Sequence, residues 1–404
     1  MLLRKFLLFL FLWPSMLFAQ SFTISGKIVN KGSGSLIAGA SVFLSNSSFG
    51  TTSTSEGTFT LNRLRPGQYT LVVTAVGYAE YNTTVMVNTD INDLRIELEQ
   101  QPIILREVTI SGSSRADWNR NYEMFKKDFI GTDANAKQCV VINPKVLDFT
   151  YRKSKQTLVA SSDEFLVVEN KALGYRVKFL LNAFSSDKIE GTISYQGKRL
   201  FEELPGNASQ KKKWQAKRDE AYYGSAMHFF RSLYQNKLQQ EGFEMRRLVR
   251  MTDPARPSAG YILKKLDQFN GTIRRDSFQY WYNIYQSPKY VNQKISSMPW
   301  FSNEVLREGP EPGLYVLTFP DYLYVIYKNR EETEAFKDIY RPLDMPNYEV
   351  SVLTLFNNPP YTIFDSNGIV VGESPLMEGA WSKQRLSELL PVDYVPAQPF
   401  KSAK

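Results

Sequence analysis

His228 is the only histidine in this chain of 404 residues, so any imidazole-dependent reaction would have to run through it. A serine hydrolase pairs such a ring with a serine nucleophile and an aspartate. The Gly-x-Ser-x-Gly elbow that would hold the serine in a strained turn does not occur. Standing two residues after Ala226 and beside Phe229 in a helical pattern, His228 reads as a packed or capped helix histidine. Zinc wants cysteine and histidine together, and the one cysteine, Cys139, lies on a different element. Cys139 is followed by Val140, Val141 and Ile142 and reads as a buried strand residue rather than a reactive thiol.

Other chemistry fares no better. Asp365-Ser366-Asn367-Gly368 starts like a calcium loop, but Leu376 stands where the bidentate glutamate should be, so a β-turn explains it better. A glycine-rich phosphate loop ending in Gly-Lys-Ser/Thr is absent. Asp163-Glu164, Glu202-Glu203 and Glu331-Glu332 are adjacent carboxylates, which in a strand point to opposite faces and are better read as solvated than as a glycosidase pair. Tyr280, Trp281 and Tyr282, with Tyr285 beyond, form the densest aromatic cluster. Read as a strand, Tyr280 and Tyr282 share a face that could stack sugar rings, against a competing reading as a strand buried on both sides. This is the one candidate ligand surface; no catalytic, cofactor-binding or metal residue is assigned.

The elements that must position these residues begin after an export pattern. Arg4 and Lys5, the apolar run Phe6 to Leu12, and Ala19 before Gln20 have the layout of a secretory signal peptide over residues 1–19, cut between Ala19 and Gln20. No cysteine stands near the cut for lipid attachment. No later stretch approaches the roughly 18 uninterrupted apolar residues of a membrane helix. The expected location is therefore the periplasm, an outer-membrane face, or outside the cell. One cysteine also means that no internal disulfide holds the fold. The net charge of +8 comes from short scattered clusters such as Lys211-Lys212-Lys213 and Arg274-Arg275. These read as solvated surface; nucleic acid is not an expected partner, and contact with anionic envelope polymers or lipid headgroups stays open.

From Ser21 to about Gly112 the pattern is that of a sheet. Phe22, Ile24 and Ile28 share one face, Phe59 and Leu61 alternate with threonines, and Leu94, Ile96 and Leu98 alternate with Arg95, Glu97 and Glu99. Turn residues at Gly32–Ser35, Glu56-Gly57, Arg65-Pro66-Gly67 and Gly77-Tyr78 divide about seven short strands, which predicts a small antiparallel sandwich. The runs Gly39-Ala40-Ser41-Val42, Gly50-Thr51-Thr52-Ser53, Glu56-Gly57-Thr58-Phe59, Leu64 to Tyr69 and Val76-Gly77-Tyr78 resemble the carboxypeptidase-regulatory-like domain. That resemblance implies an all-β sandwich of the transthyretin (prealbumin) type and an accessory rather than catalytic role. Ser55-Glu56 departs from the aspartate often found in that turn. Leu105 to Ile110 resembles the segment after this module in TonB-dependent receptors of Bacteroidetes-type bacteria, but too few residues follow Gly112 for a plug and a large barrel.

Ser111–Ser114 reads as a linker to a strand-rich α+β region over residues 115–404, and the sequence leaves open a division near residue 250. Trp118, Tyr122, Phe125 and Phe129 make a helical stripe that Gly131 can end, an arrangement read as core packing. Strands are predicted at 139–142, 147–151, 157–159, 165–168, 175–181 and 191–195, then at 261–263, 278–285, 314–319, 322–327 and 349–356. A single charged helix is predicted from about Gln210 to Glu241, stopped by Gly242, and a last one over Trp381–Leu390. Tyr223-Gly224-Ser225, His228 to Leu233, Trp381, Arg385, Leu389 to Pro391 and Tyr394 resemble envelope proteins that carry the same N-terminal module, a resemblance that implies no activity.

The reading is thus a non-enzymatic cell-envelope protein with a binding or scaffold role and no cofactor. Its sandwich would dock to another envelope component or pack on the C-terminal region. The expected partner is an envelope protein or outer-membrane assembly, with a glycan as the other candidate. The alternative is an exported hydrolase acting on glycan or peptide, or a glycan-binding protein. Oligomeric state is not legible in the sequence.

Overall fold

The computed structural model describes residues 21–101, 115–311, 313–334, 336–356 and 358–397. The signal segment with its cut at Ala19 and Gln20, residues 105–110, the 111–114 linker and the C-terminal tail from 398 lie outside the described residues.

Seven strands build the N-terminal unit: β1 (Phe22–Asn30), β2 (Ser41–Leu44), β3 (Gly50–Thr52), β4 (Thr58–Leu64), β5 (Gly67–Thr74), β6 (Tyr81–Val87) and β7 (Ile91–Leu98). They form two sheets, β4-β1-β7 and β3-β2-β5-β6. Alternation sends Ile24, Ile28, Phe59, Leu61, Ile96 and Leu98 inward from the first sheet, against Val42, Leu44, Tyr69, Leu71 and Val73 from the second. The pairing corrects one expectation: β1 and β7 run parallel, so the sandwich is not wholly antiparallel. The chain passes between the sheets: β1 lies in the first, β2 and β3 in the second, β4 in the first, β5 and β6 in the second, and β7 returns to lie beside β1.

The C-terminal region opens with helix α1 (Arg115–Phe125), prolonged by a π-helical turn at Lys126–Ile130 and ended at Gly131. Its stripe packs as expected: Phe125 and Phe129 are fully buried, with their rings 4.7 Å apart, and Phe184 lies edge-on to Phe125 at 4.9 Å. Beneath it lie β8 (Cys139–Val141), β9 (Leu147–Arg152), β10 (Thr157–Ser162), β11 (Phe165–Asn170), β12 (Tyr175–Asp187) and β13 (Thr192–Glu203). The long β12 pairs with β13 throughout, and along its other edge with β11 and then β10. All six predicted strands are present, and Cys139 is on a strand but only half-buried.

Next come α2 (Ala208–Tyr222) and α3 (Ala226–Tyr234), where one continuous helix was predicted. The break has a local cause. Gly224 sits at φ +80° and Ser225 starts α3 as its N-cap, accepting from the His228 backbone N–H. A five-stranded sheet then carries β14 (Phe243–Thr252) and β15 (Tyr290–Ile295). Between these two strands the chain makes a helical hairpin, α4 (Ala259–Phe269) and α5 (Arg275–Gln286). The strands predicted at 261–263 and 278–285 are therefore helical. Aromatic and β-branched content favoured strand, but Ile262, Leu266 and Phe269 repeat at helical spacing, and Ser258 caps α4 by accepting from Tyr261 N–H.

The remaining strands are β16 (Leu306–Glu308), β17 (Leu314–Leu317), β18 (Tyr322–Glu331), β19 (Tyr348–Thr354), β20 (Thr362–Asp365), β21 (Val370–Val371) and β22 (Leu376–Gly379). The predicted 365–368 turn joins β20 to β21. The helix predicted over 381–390 is instead two short 3₁₀ turns, Ala380–Lys383 and Leu386–Glu388, separated by Arg385 in extended conformation. One connected apolar core runs from Phe125 through Phe179, Phe229 and Leu323 to Trp381 and Tyr394.

Candidate functional site

The sandwich does not stand apart. Phe43 and Val72, on the outward face of its second sheet, are fully buried because Leu200 of β13 and Phe165 of β11 cover them. The β2–β3 turn continues this contact with backbone hydrogen bonds to the free edge of β13. Asn46 N–H donates to Arg199 O at 2.7 Å, and Phe201 N–H donates to Ser47 O at 2.9 Å. Capping the edge in this way removes unpaired donors and acceptors that would otherwise template another strand. Side chains complete the joint: Arg199 Nε donates to Asn46 Oδ1 at 2.7 Å, Lys198 pairs with Glu80, and Ser48 N–H donates to Asp393 at 2.7 Å. From the C-terminal segment, Val392 enters the sandwich core, and its N–H donates to Asn46 O at 2.7 Å. Arg231 on α3 fixes that segment with bonds to Val392 O at 2.6 Å and Tyr394 O at 2.9 Å.

His228 lies at the break between α2 and α3. Its Nδ1 accepts from Gly224 N–H at 3.1 Å, and Nε2 lies 3.1 Å from Glu241 Oε2. With Nδ1 accepting, the neutral ring carries its proton on Nε2 and donates to Glu241. Tyr222, Tyr223, Phe243 and Tyr327 wall the ring at centroid distances of 4.9 to 6.0 Å. Burial pushes its pKa down to about 4; Glu241 pulls the other way, and Arg231 and Arg330 add to the lowering. The two nearby serines address backbone instead of the ring. Ser225 accepts from His228 N–H, and Ser232 Oγ donates to His228 O at 2.7 Å. Trp381 Nε1 donates to Gly224 O at 2.7 Å and closes the knot. This arrangement holds a backbone break in place.

The carboxylate pairs named from sequence are placed by the sheets. Glu202 faces Lys178 at 2.5 Å, while its neighbour Glu203 bonds Arg218 at 3.2 Å. Glu332 is buried and bonds Lys383 at 3.1 Å, whereas Glu331 is exposed. Asp163 and Glu164 are exposed in the β10–β11 turn. Sequence reasoning missed Glu388, whose pKa is pushed up to about 7 by burial and then by Asp133. Nothing in its local pattern distinguished it, because the groups around it come from distant segments.

A cleft of 490 Å³ opens between the loop after α3, the start of β14 and the segment 299–302. Trp300, held by its N–H donating to Met245 O at 2.7 Å, forms one wall with the exposed Phe301. Asn236, Gln239 and Gln240 bring amides, and Lys237 and Lys328 bring cations. Glu244 is the one carboxylate among the described lining residues. Burial alone would raise its pKa, but Lys328 at 2.6 Å and Arg246 at 2.5 Å outweigh that and hold it below the usual carboxylate range. Glycoside hydrolysis uses two opposed carboxyl groups, one of them protonated. The composition of this cleft instead suits stacking and hydrogen bonding. Sequence reading did not single it out, since its walls come from three separated segments.

Tyr280, Trp281 and Tyr282 sit on α5, so they do not alternate across a strand as expected. Tyr280 and Tyr282 are exposed, while Trp281 is half-buried with Tyr261 edge-on at 5.5 Å. Among the described residues no group of three or more His, Cys, Asp or Glu is placed to hold a metal ion. No helix among them is long and apolar enough to cross a membrane.

Comparison with known proteins places residues 24–110 in the family model of the CarboxypepD_reg-like domain. No curated protein matches the chain. Among solved structures it is similar to a type II cohesin–X-dockerin complex from Acetivibrio cellulolyticus, at 22% identity over 19% of this chain and 56% of that one, with a TM-score of 0.18. A DUF3823 family protein from Bacteroides ovatus matches at 12% identity over 46% of this chain and 83% of that one, TM-score 0.18. A putative membrane-associated protein of unknown function from Bacteroides fragilis matches at 13% identity over 84% of this chain and 92% of that one, TM-score 0.16. Likenesses this distant carry no argument about activity. The chain spans between 41% and 58% of the first three solved structures it matches.

Proposed function

We propose that this protein, whose residues 24–110 match the carboxypeptidase-regulatory-like family, is a non-enzymatic binding or scaffold protein of the bacterial cell envelope. In this reading the sandwich, residues 21–112, is an internal brace for a C-terminal unit, residues 115–404, and the cleft beside Trp300 receives the partner. The observation that carries it is the covering of Phe43 and Val72 by Leu200 and Phe165. An accessory module whose outer sheet face is occupied by its own chain acts on that chain first. The envelope location rests on the Arg4 to Gln20 export pattern.

The cleft offers aromatic faces, three amides and paired charges, a surface suited to a glycan or an extended peptide of another envelope component. The test uses the mature chain from Gln20, incubated with envelope extract of its own bacterium, and identifies what co-purifies by mass spectrometry. One reproducible partner, lost with Trp300→Ala and retained with a substitution far from the cleft, supports the reading. Hydrolysis of a glycan or peptide that disappears with Glu244→Gln or His228→Gln overturns it in favour of the exported hydrolase.

A further inference from the structure

The α4–α5 hairpin leaves the body between Thr252 and Tyr290 as an arm. Its foot is tied by Arg256, which donates to Ile284 O at 2.7 Å and Ser287 Oγ at 2.6 Å. Beyond the foot it is little packed: Ile262 is the one buried residue of α4, and α5 has none. On α5, Phe278, Trp281 and Ile284 are half-buried, while Tyr280, Tyr282 and Tyr285 stay exposed. At the tip, Asn270 to Asp276 are all exposed, and Ile273 is fully so at 101%. Arg274 and Arg275 follow it directly, against a single carboxylate, Asp276, in the same turn. Tyr280 at 60% and Tyr282 at 41% exposure stand further along the same helix.

We propose that this arm docks the protein on an anionic lipid surface, with Ile273 entering the headgroup region and Arg274 and Arg275 contacting lipid phosphates. A fully exposed aliphatic side chain at a tip gains by leaving water. Cations directly behind it gain from a negatively charged surface, and tyrosines suit the boundary between headgroups and acyl chains. The tip itself offers one isoleucine followed by two arginines, a cationic point rather than the broad apolar core of a protein interface. The charge complementarity therefore favours a membrane.

Co-sedimentation of the mature chain with unilamellar vesicles tests this, comparing phosphatidylcholine alone with phosphatidylcholine containing phosphatidylglycerol. Binding is expected only to the anionic vesicles and should weaken with added salt. Arg274→Ala with Arg275→Ala should lower it roughly tenfold or more. Ile273→Ser should lower it with the charge of the tip unchanged, and both variants should keep the wild-type circular dichroism, since these side chains are exposed. The triple change Lys211→Ala, Lys212→Ala, Lys213→Ala on α2 should leave binding intact. Failure of the wild-type chain to bind anionic vesicles overturns the proposal, as does equal loss in the α2 triple variant. Unchanged binding of Ile273→Ser contradicts insertion of the tip.

Discussion

Gly224 and His228 hold each other across a helix break: the glycine N–H donates to Nδ1 of the imidazole over 3.1 Å. The left-handed glycine at φ +80° turns the chain between α2 and α3, and the ring satisfies the donor that the turn would leave without a partner. The only imidazole in the protein is thereby used in folding. His228→Ala strands that buried N–H among four aromatic rings. It is expected to cost about 2–4 kcal/mol in urea unfolding, through the lost donor partner and the lost packing.

The same residue sets an acid-side pH dependence. The unfolded chain takes up a proton near pH 6.5, which the folded chain refuses until about pH 4. Stability therefore falls as pH drops through that window, because the unfolded state binds more protons there. Urea unfolding of His228→Gln across the window should show a shallower slope than the wild type; parallel curves would contradict it.

Glu388 works in the opposite sense. Its carboxyl is pushed up to about 7 from an ordinary 4.5, so the folded chain keeps a proton that the unfolded chain has already released. That contribution is fully present below about pH 4.5 and is lost as pH rises through 7. Glu388→Gln should gain stability on the wild type as pH rises over this range, read by thermal unfolding at several pH values. No relative gain would mean the carboxyl is not held protonated.

How far the sequence reached depends on where each signal resides. Ile24, Phe59 and Leu94 to Leu98 lie in strands whose alternation is written in neighbouring residues, so the sandwich was legible. The α1 stripe and the strands from 139 to 203 were legible for the same reason. The α4–α5 hairpin was misread because Tyr280, Trp281 and Tyr282 prefer strands, whereas helical spacing of Phe278, Trp281 and Ile284 governs the packing. The α2–α3 break hinged on one glycine whose conformation depends on His228. The cleft and the Leu200–Phe43 contact join residues far apart in the chain, which no local pattern records.

Leu200 is predicted to be a main apolar contact between the two units. Truncation in Leu200→Ala leaves a gap over Phe43 and Val72 and should cost about 2–3 kcal/mol. If the sandwich braces the rest, limited proteolysis should then cut between residues 101 and 115 faster than in the wild type. Unchanged stability and cleavage would show that the contact is incidental.

Gly174 is expected to be intolerant of any side chain. It sits at φ +69°, and a Cβ there would lie 2.1 Å from the Trp214 ring, whose Nε1 donates to Lys171 O at 2.9 Å. Gly174→Ala should lose roughly 2–4 kcal/mol by strain and displacement of that indole, measured by urea unfolding.

The most direct test of the binding-protein account places a photo-crosslinking phenylalanine analogue at Phe301, on the cleft wall, and another at Lys212 on α2. Each protein is irradiated with envelope extract, and the adducts are identified by mass spectrometry. The account predicts a single recurrent adduct from position 301, absent from position 212 and lost when Trp300→Ala is added. Adducts that are the same from both positions, or none from 301 in a protein that turns over a glycan or peptide, would contradict it.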